Sequence, residues 1–233
     1  MSKFIDRLKQ LSEGAPQPIG FRPRGATPEK PKIQLVAAVA DASAAERAAG
    51  ADAVLLDAAG SAPKTDQPWG VRLATASVPD GADFVVLPAE APLTPGVKEG
   101  VGKVLAVGPS LPGDVVRALN GVALDAVLLT AAKESERSLT WIEVVDFHRF
   151  AAILSRPLLV EVPAGISGPE IEQVWQAGAA GIVVRVQQME RLQELRAAIS
   201  ALTPPVPPRV NRPVARAPLA PAPRPEEDEE DDE

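Results

Sequence analysis

The run Gly50-Ala51-Asp52-Ala53-Val54-Leu55-Leu56-Asp57 decides the reading of this chain, because the sequence writes it again in three close variants. These are Gly81-Ala82-Asp83-Phe84-Val85-Val86-Leu87-Pro88, Ala123-Leu124-Asp125-Ala126-Val127-Leu128-Leu129-Thr130 and Gly178-Ala179-Ala180-Gly181-Ile182-Val183-Val184-Arg185. Each is a small-residue turn, a short aliphatic run and a residue that breaks the run. A helix hands over in this way to a strand buried on both faces. Working outward gives eight strands, at 33–40, 53–57, 71–75, 84–87, 104–108, 126–130, 157–162 and 182–186. Eight parallel strands predict an α/β fold, a compact (β/α)8 barrel of the TIM type. The third and fourth strands lie too close for a helical crossover, which needs roughly 10–12 residues, so one or two helices are expected to be replaced by loops. A distorted barrel or an open doubly wound sheet is the alternative.

The helices have their own signals. Ser43-Ala44-Ala45-Glu46 and Thr140-Trp141-Ile142-Glu143 read as capping boxes, and Ser167-Gly168-Pro169 starts a helix that Gly178 ends. Three zones follow. Residues 1–32 form a head with an amphipathic helix and a linker; Phe4, Ile5, Leu8 and Leu11 recur at helical spacing and Ser2 is placed to cap it. This helix either covers the barrel's N-terminal mouth or packs on a neighbouring subunit; a membrane-surface anchor is the third reading. Residues 33–202 form the barrel. Residues 203–233 form a tail, Pro/Arg-rich and then eight consecutive acids, whose composition predicts disorder.

Charge follows the zones. The head carries +4, the barrel −7, the Pro/Arg stretch +4 and the final octet −8. An acidic body with few aromatics and no Tyr argues against nucleic-acid binding. The chain has no Cys and one His, which removes thiolate chemistry and the usual His-rich metal cages. The lack of Cys suits a cytoplasmic protein, and no run approaches the roughly 20 apolar residues of a transmembrane segment. The acidic tail reads first as a solubility device and second as a dock for a basic protein partner.

In a parallel barrel the residues that close the strands share one mouth, where the chemistry sits. Asp41, Asp57, Thr75, Pro88, Pro109, Thr130, Pro163 and Arg185 close these strands, and Glu161 shares the face of Pro163. Asp41, Asp57 and Glu161 are candidate bases, and Lys133, in the loop after the sixth strand, joins Arg185 as a candidate for stabilising negative charge. Each also has an ordinary structural role open to it: Asp41 as a helix cap, Glu161 and Arg185 as an ion pair on adjacent strands. Several convergent carboxylates would suit Mg²⁺, but no ligand spacing supports it, so no cofactor is predicted. His148, in mid-helix, reads as partly buried packing; Trp141 and Trp175 read as core.

One segment carries a resemblance. Val162-Pro163-Ala164-Gly165-Ile166-Ser167-Gly168, followed by Gln176-Ala177-Gly178-Ala179-Ala180-Gly181-Ile182-Val183-Val184, resembles the last quarter of the ribulose-phosphate-binding barrels, within the aldolase-type superfamily. The resemblance implies a phosphate held by loop amides and a helix N-terminus, with Gly165, Ile166 and Ser167 in the first loop. Where that family has a glycine after the last strand, this chain has Arg185, which could contact phosphate through its side chain. The expectation is a small anionic, phosphorylated metabolite bound at the mouth, with lyase or isomerase chemistry. The alternative is a catalytically degenerate barrel acting as an adaptor. Homo-oligomerisation through the head helix is also expected.

Overall fold

The computed structural model describes residues 2–13, 32–58, 60–73, 78–91, 97–130, 138–186 and 189–202. Eight parallel strands close in sequence order into a barrel. They are β1 (Gln34–Val39), β2 (Ala53–Leu56), β3 (Trp69–Arg72), β4 (Phe84–Pro88), β5 (Gly102–Val107), β6 (Ala126–Leu129), β7 (Leu158–Val162) and β8 (Gly181–Arg185). Pairing of β1 with β8, Gln34 opposite Gly181 through Ala38 opposite Arg185, closes the ring. The open-sheet alternative is therefore excluded.

Helices follow β1 (α2, Ala42–Glu46), β5 (α3, Gly113–Ala118), β6 (α4, Trp141–Ile153), β7 (α5, Gly168–Gln176) and β8 (α6, Met189–Ala201). Among the described residues the β2–β3, β3–β4 and β4–β5 connections hold no helix. Trp69, Val71 and Val85, on the outer faces of β3 and β4, are nonetheless buried, with Val78 and Ala82 of the β3–β4 loop packed in the same cluster.

Local chemistry sets the helix ends. Ser167 begins α5, and its backbone N–H and hydroxyl both donate to Glu170, at 2.7 and 2.6 Å. At the other end Gly178 takes a φ of +102°, its N–H reaches Trp175 O, and Ala179 N–H reaches Val174 O. That pair of bonds is a Schellman motif, and only glycine adopts its φ at low cost. Thr140 opens α4 with the predicted capping box on Glu143. The box predicted at Ser43 is corrected: Asp41, two residues earlier, is the N-cap of α2.

Alternation along the strands separates two cores. Val36, Ala38, Ala53, Leu55, Phe84, Val86, Val104, Ala126, Leu128, Leu159 and Val183 fill the barrel interior, and the opposite parity packs under the helices. The interior also contains Phe4, Ile5 and Leu8 of α1 (Lys3–Glu13), all buried, with the Phe4 ring 4.4 Å from that of Phe84. α1 is thus a plug in the barrel floor. Small residues make room for it: a methyl group at Gly102 would overlap the Ile5 side chain. The head helix spends its apolar stripe on its own barrel, which leaves that stripe for neither a membrane nor a second subunit.

The aspartates of the repeated phrase hold this floor together. Asp52 accepts Leu35 N–H at the foot of β1 and pairs through both carboxylate oxygens with Arg196 of α6, at 2.6 and 2.7 Å. Asp125 accepts Lys103 N–H at the foot of β5 and pairs with Lys9 of α1 at 3.3 Å. Asp83 accepts the Ser2 hydroxyl and the Lys3 and Phe4 amides, at 2.7, 2.9 and 2.9 Å, and so caps the first turn of the plug. A carboxylate there also opposes the positive end of the helix dipole. The repeat therefore encodes tethers at the N-terminal end of the barrel, opposite the mouth.

Candidate active site

Interior parity continues upward past the apolar layers to the C-terminal ends of the strands. There the inward positions become Asp57 after β2, Arg72 on β3, Glu161 on β7 and Arg185 on β8. Arg72 Nη2 lies 3.2 Å from Glu161 Oε1. In the closed order β3 and β7 stand diametrically opposed, so this ion pair crosses the lumen. Arg72 Nε lies 3.5 Å from Asp57 Oδ1, and Arg185 Nη2 lies 3.4 Å from Asp57 Oδ2. Asp57 is thereby held between two guanidinium groups, one on the neighbouring β3 and one on β8 beyond β1.

The cluster is part-buried. The side chains of Arg72, Asp57 and Glu161 are between 20% and 27% exposed, and that of Arg185 is 44% exposed. Arg72 Nε and Asp57 Oδ1 are both buried atoms that face each other outside hydrogen-bond geometry. A buried donor and acceptor held this way have lost water without gaining a full bond. Among the described residues the cluster pairs two guanidinium groups with two carboxylates, so an anion entering it competes with those carboxylates for the arginines.

The other sequence-derived candidates divide by location. Asp41 is exposed and caps α2: its carboxylate accepts the Ser43 hydroxyl at 2.7 Å and the Ala44 amide at 2.9 Å. The Ser43 hydroxyl, and then the Ala44 amide, hold that carboxyl below the ordinary aspartate range. Its described bonds are those of a cap, and no described bond ties it to the arginine cluster. Lys133 and Thr75 lie outside the described residues. Gly165, Ile166 and Ser167 do sit at the mouth, between β7 and α5, but polar groups of Ile166 and Ser167 are engaged. Ile166 N–H donates to Pro163 O, Ser167 gives both donors to Glu170, and Arg191 of α6 donates to the carbonyls of Ala164 and Ile166. Glu170 also accepts Leu139 N–H, and its hydrogen bonds, that from the Ser167 hydroxyl foremost, hold its carboxyl below the ordinary glutamate range. A carboxylate thus occupies the end of α5 where the resemblance implies a phosphate.

Three expectations change. The described ion pair of Glu161 runs across the barrel to Arg72, and Arg185 reaches Asp57. Sequence reading missed Arg72 because it placed the third strand at 71–75, whereas β3 is Trp69–Arg72. Gly70 carried the available signal: the Phe84 ring fills the space a Cβ at Gly70 would take, which marks the inward parity, and Arg72 is two residues on. Trp141, read as core, is 78% exposed, and His148 is exposed as well; Trp175 is buried as expected.

Among the described residues no group of three or more His, Asp or Glu could hold a metal ion, and no helix is long and apolar enough to cross a membrane.

These observations define the class: the chain is a closed (β/α)8 barrel of the TIM type with an N-terminal plug. Solved structures agree. Two mutant forms of the tryptophan synthase alpha-subunit from the hyperthermophile Pyrococcus furiosus superpose with TM-scores of 0.53 and 0.54, at 13% and 11% sequence identity. Each match covers 72% of this chain, and 97% and 96% of the other. The tryptophan synthase complex of the same organism matches with a TM-score of 0.50 at 13% identity, over 72% of this chain and 94% of that one. At such identity the likeness shows the fold alone. No family model and no curated sequence matches the chain.

Proposed function

We propose that the mouth binds a small anionic, phosphorylated metabolite through Arg72 and Arg185. The observation that carries this reading is the sharing of Asp57 between two guanidinium groups, with Arg72 Nε left short of a hydrogen bond. A phosphoryl or carboxylate oxygen entering beside Asp57 would complete that donor and find a second cation within reach. Arg is suited to this task because its planar fork binds two oxygens at once. The Gly165–Ser167 loop forms the rim beside β7; it joins the anion contacts only when Glu170 moves aside. Asp57 and Glu161 are then the groups able to take a proton from a bound substrate. Proton transfer beside a carbonyl, the step shared by lyases and isomerases of this type, needs a base so placed.

Fold likeness to tryptophan synthase alpha-subunits is compatible with such chemistry, and the arginine cluster is what supports it here. The second reading, a degenerate barrel kept as an adaptor, is favoured by one observation: the described ion pairs engage Arg72, Arg185, Asp57 and Glu161 with one another and so tie β2, β3, β7 and β8 together.

A thermal-shift titration with inorganic phosphate and a panel of sugar phosphates, on wild type and Arg185→Ala, separates the two. A ligand at about 100 times its dissociation constant stabilises by roughly 2.7 kcal/mol. Stabilisation of the wild type that the variant loses supports the metabolite reading. No shift with any ligand favours the adaptor.

A further inference from the structure

The homo-oligomer expected from the sequence needs a surface other than the head helix, and α4 supplies one. Along its outer side Trp141, Ile142 and Val145 are 78%, 67% and 57% exposed, followed by exposed His148 and Ala152. The opposite side of α4 is also apolar, with Phe147 and Phe150 buried against the barrel. A helix apolar on both sides ordinarily has a partner on both. α3, which packs beside α4, adds Val115 at 41% exposure.

We infer that this face is the interface of a two-fold homodimer in which α4 packs antiparallel on α4 of a second copy, centred between Val145 and His148. The argument for a second copy is the order of residues along the stripe. The bulky end holds Trp141 and Ile142; the flat end holds His148 and Ala152, roughly 16 Å away along the helix. A two-fold axis midway between Val145 and His148 lays Trp141 of each copy on Ala152 of the other, and Val145 on His148, which is the self-complementarity an isologous interface requires. Area agrees with this geometry. Trp141, Ile142 and Val145 present about 400 Å² per copy, the scale of a functional patch on a monomer. With a polar rim, such a core approaches the roughly 800 Å² per partner of a stable interface. The β-barrel mouth stays open in this arrangement, because α4 lies on the outer wall.

The chain lacks Cys, which allows a direct test on the full-length protein. Val145→Cys places a single thiol beside the proposed axis, and Glu190→Cys places one at an exposed position of α6 as a control. Sedimentation equilibrium should show a dimer for wild type, and mild oxidation should cross-link Val145→Cys but not Glu190→Cys, since a disulfide needs Cα atoms within about 7 Å. Trp141→Glu should shift the protein to monomer by at least tenfold in dissociation constant, with its circular dichroism spectrum and unfolding midpoint at low concentration unchanged. Two results would overturn the inference. One is a wild type that stays monomeric at 100-fold different loading concentrations. The other is a dimer that survives Trp141→Glu and does not cross-link at position 145.

Discussion

Truncating Phe4 to alanine tests the plug in the barrel floor. Phe4 is fully buried, and its ring sits 4.4 Å from Phe84 at a tilt of 31°. Removing it loses about 200 Å² of buried aromatic surface, roughly 5 kcal/mol at 25 cal/mol per Å² as an upper bound. Measured losses for buried Phe→Ala run at about 3–5 kcal/mol, including the cavity left behind. Phe4→Ala is therefore expected to destabilise by about 4 kcal/mol. For a chain of this size that is a fall of roughly 8–16 °C in Tm. Urea unfolding followed by circular dichroism gives the free energy and its denaturant slope together. An unchanged slope means the plug stays seated over a cavity; a smaller slope means α1 has left the barrel and the native state already exposes its floor. Phe84→Ala should cost a similar amount, and the double variant should cost less than the sum, because both remove one contact. A loss below about 1 kcal/mol for Phe4→Ala would refute the plug, since a residue buried in the lumen cannot be deleted so cheaply.

Further outcomes follow from the same structure. Asp52→Ala should destabilise by about 2–3 kcal/mol, because it strands Arg196 and the Leu35 amide at the foot of β1; chemical denaturation reads this, and Arg196→Ala in the same background should add little. Hydrogen bonds hold the Glu170 carboxyl below its ordinary value. Its contribution is therefore full above the unfolded value and lost as pH falls through the lower folded one. Stability measured from neutral pH into the acid range should fall less steeply in Glu170→Gln than in wild type. Gly178→Ala should cost at least 1 kcal/mol in thermal unfolding, since φ is +102° and the new methyl would meet Ala151 Cβ at 2.9 Å.

Most of the barrel was legible because its signal is periodic and local. The four repeated phrases became β2, β4, β6 and β8, and the breaks after them became the mouth. Their aspartates were legible as residues but not as tethers, because Asp52, Asp83 and Asp125 act on partners 17 to 144 positions away. The plug was one of three readings open to an amphipathic head helix; choosing among them needed the glycine at 102, whose meaning depends on what approaches it. Trp141 was misplaced because a capping box fixes where a helix starts, not which side it buries. Of the mouth, Asp57, Glu161 and Arg185 could be found by counting to strand ends. Arg72 could not, since an error of a few residues in one strand's end hid the group that joins the others across the lumen.

The most direct test of the account is calorimetric titration of inorganic phosphate into wild type, Arg72→Met, Arg185→Met and the double variant, at low salt and matched pH. The account predicts a single mouth site in wild type, weakened at least tenfold by either substitution and lost in the double variant, as removal of a charge-assisted contact of about 1.5–3 kcal/mol requires. Phosphate bound equally well by the double variant, or not bound by wild type, would contradict it.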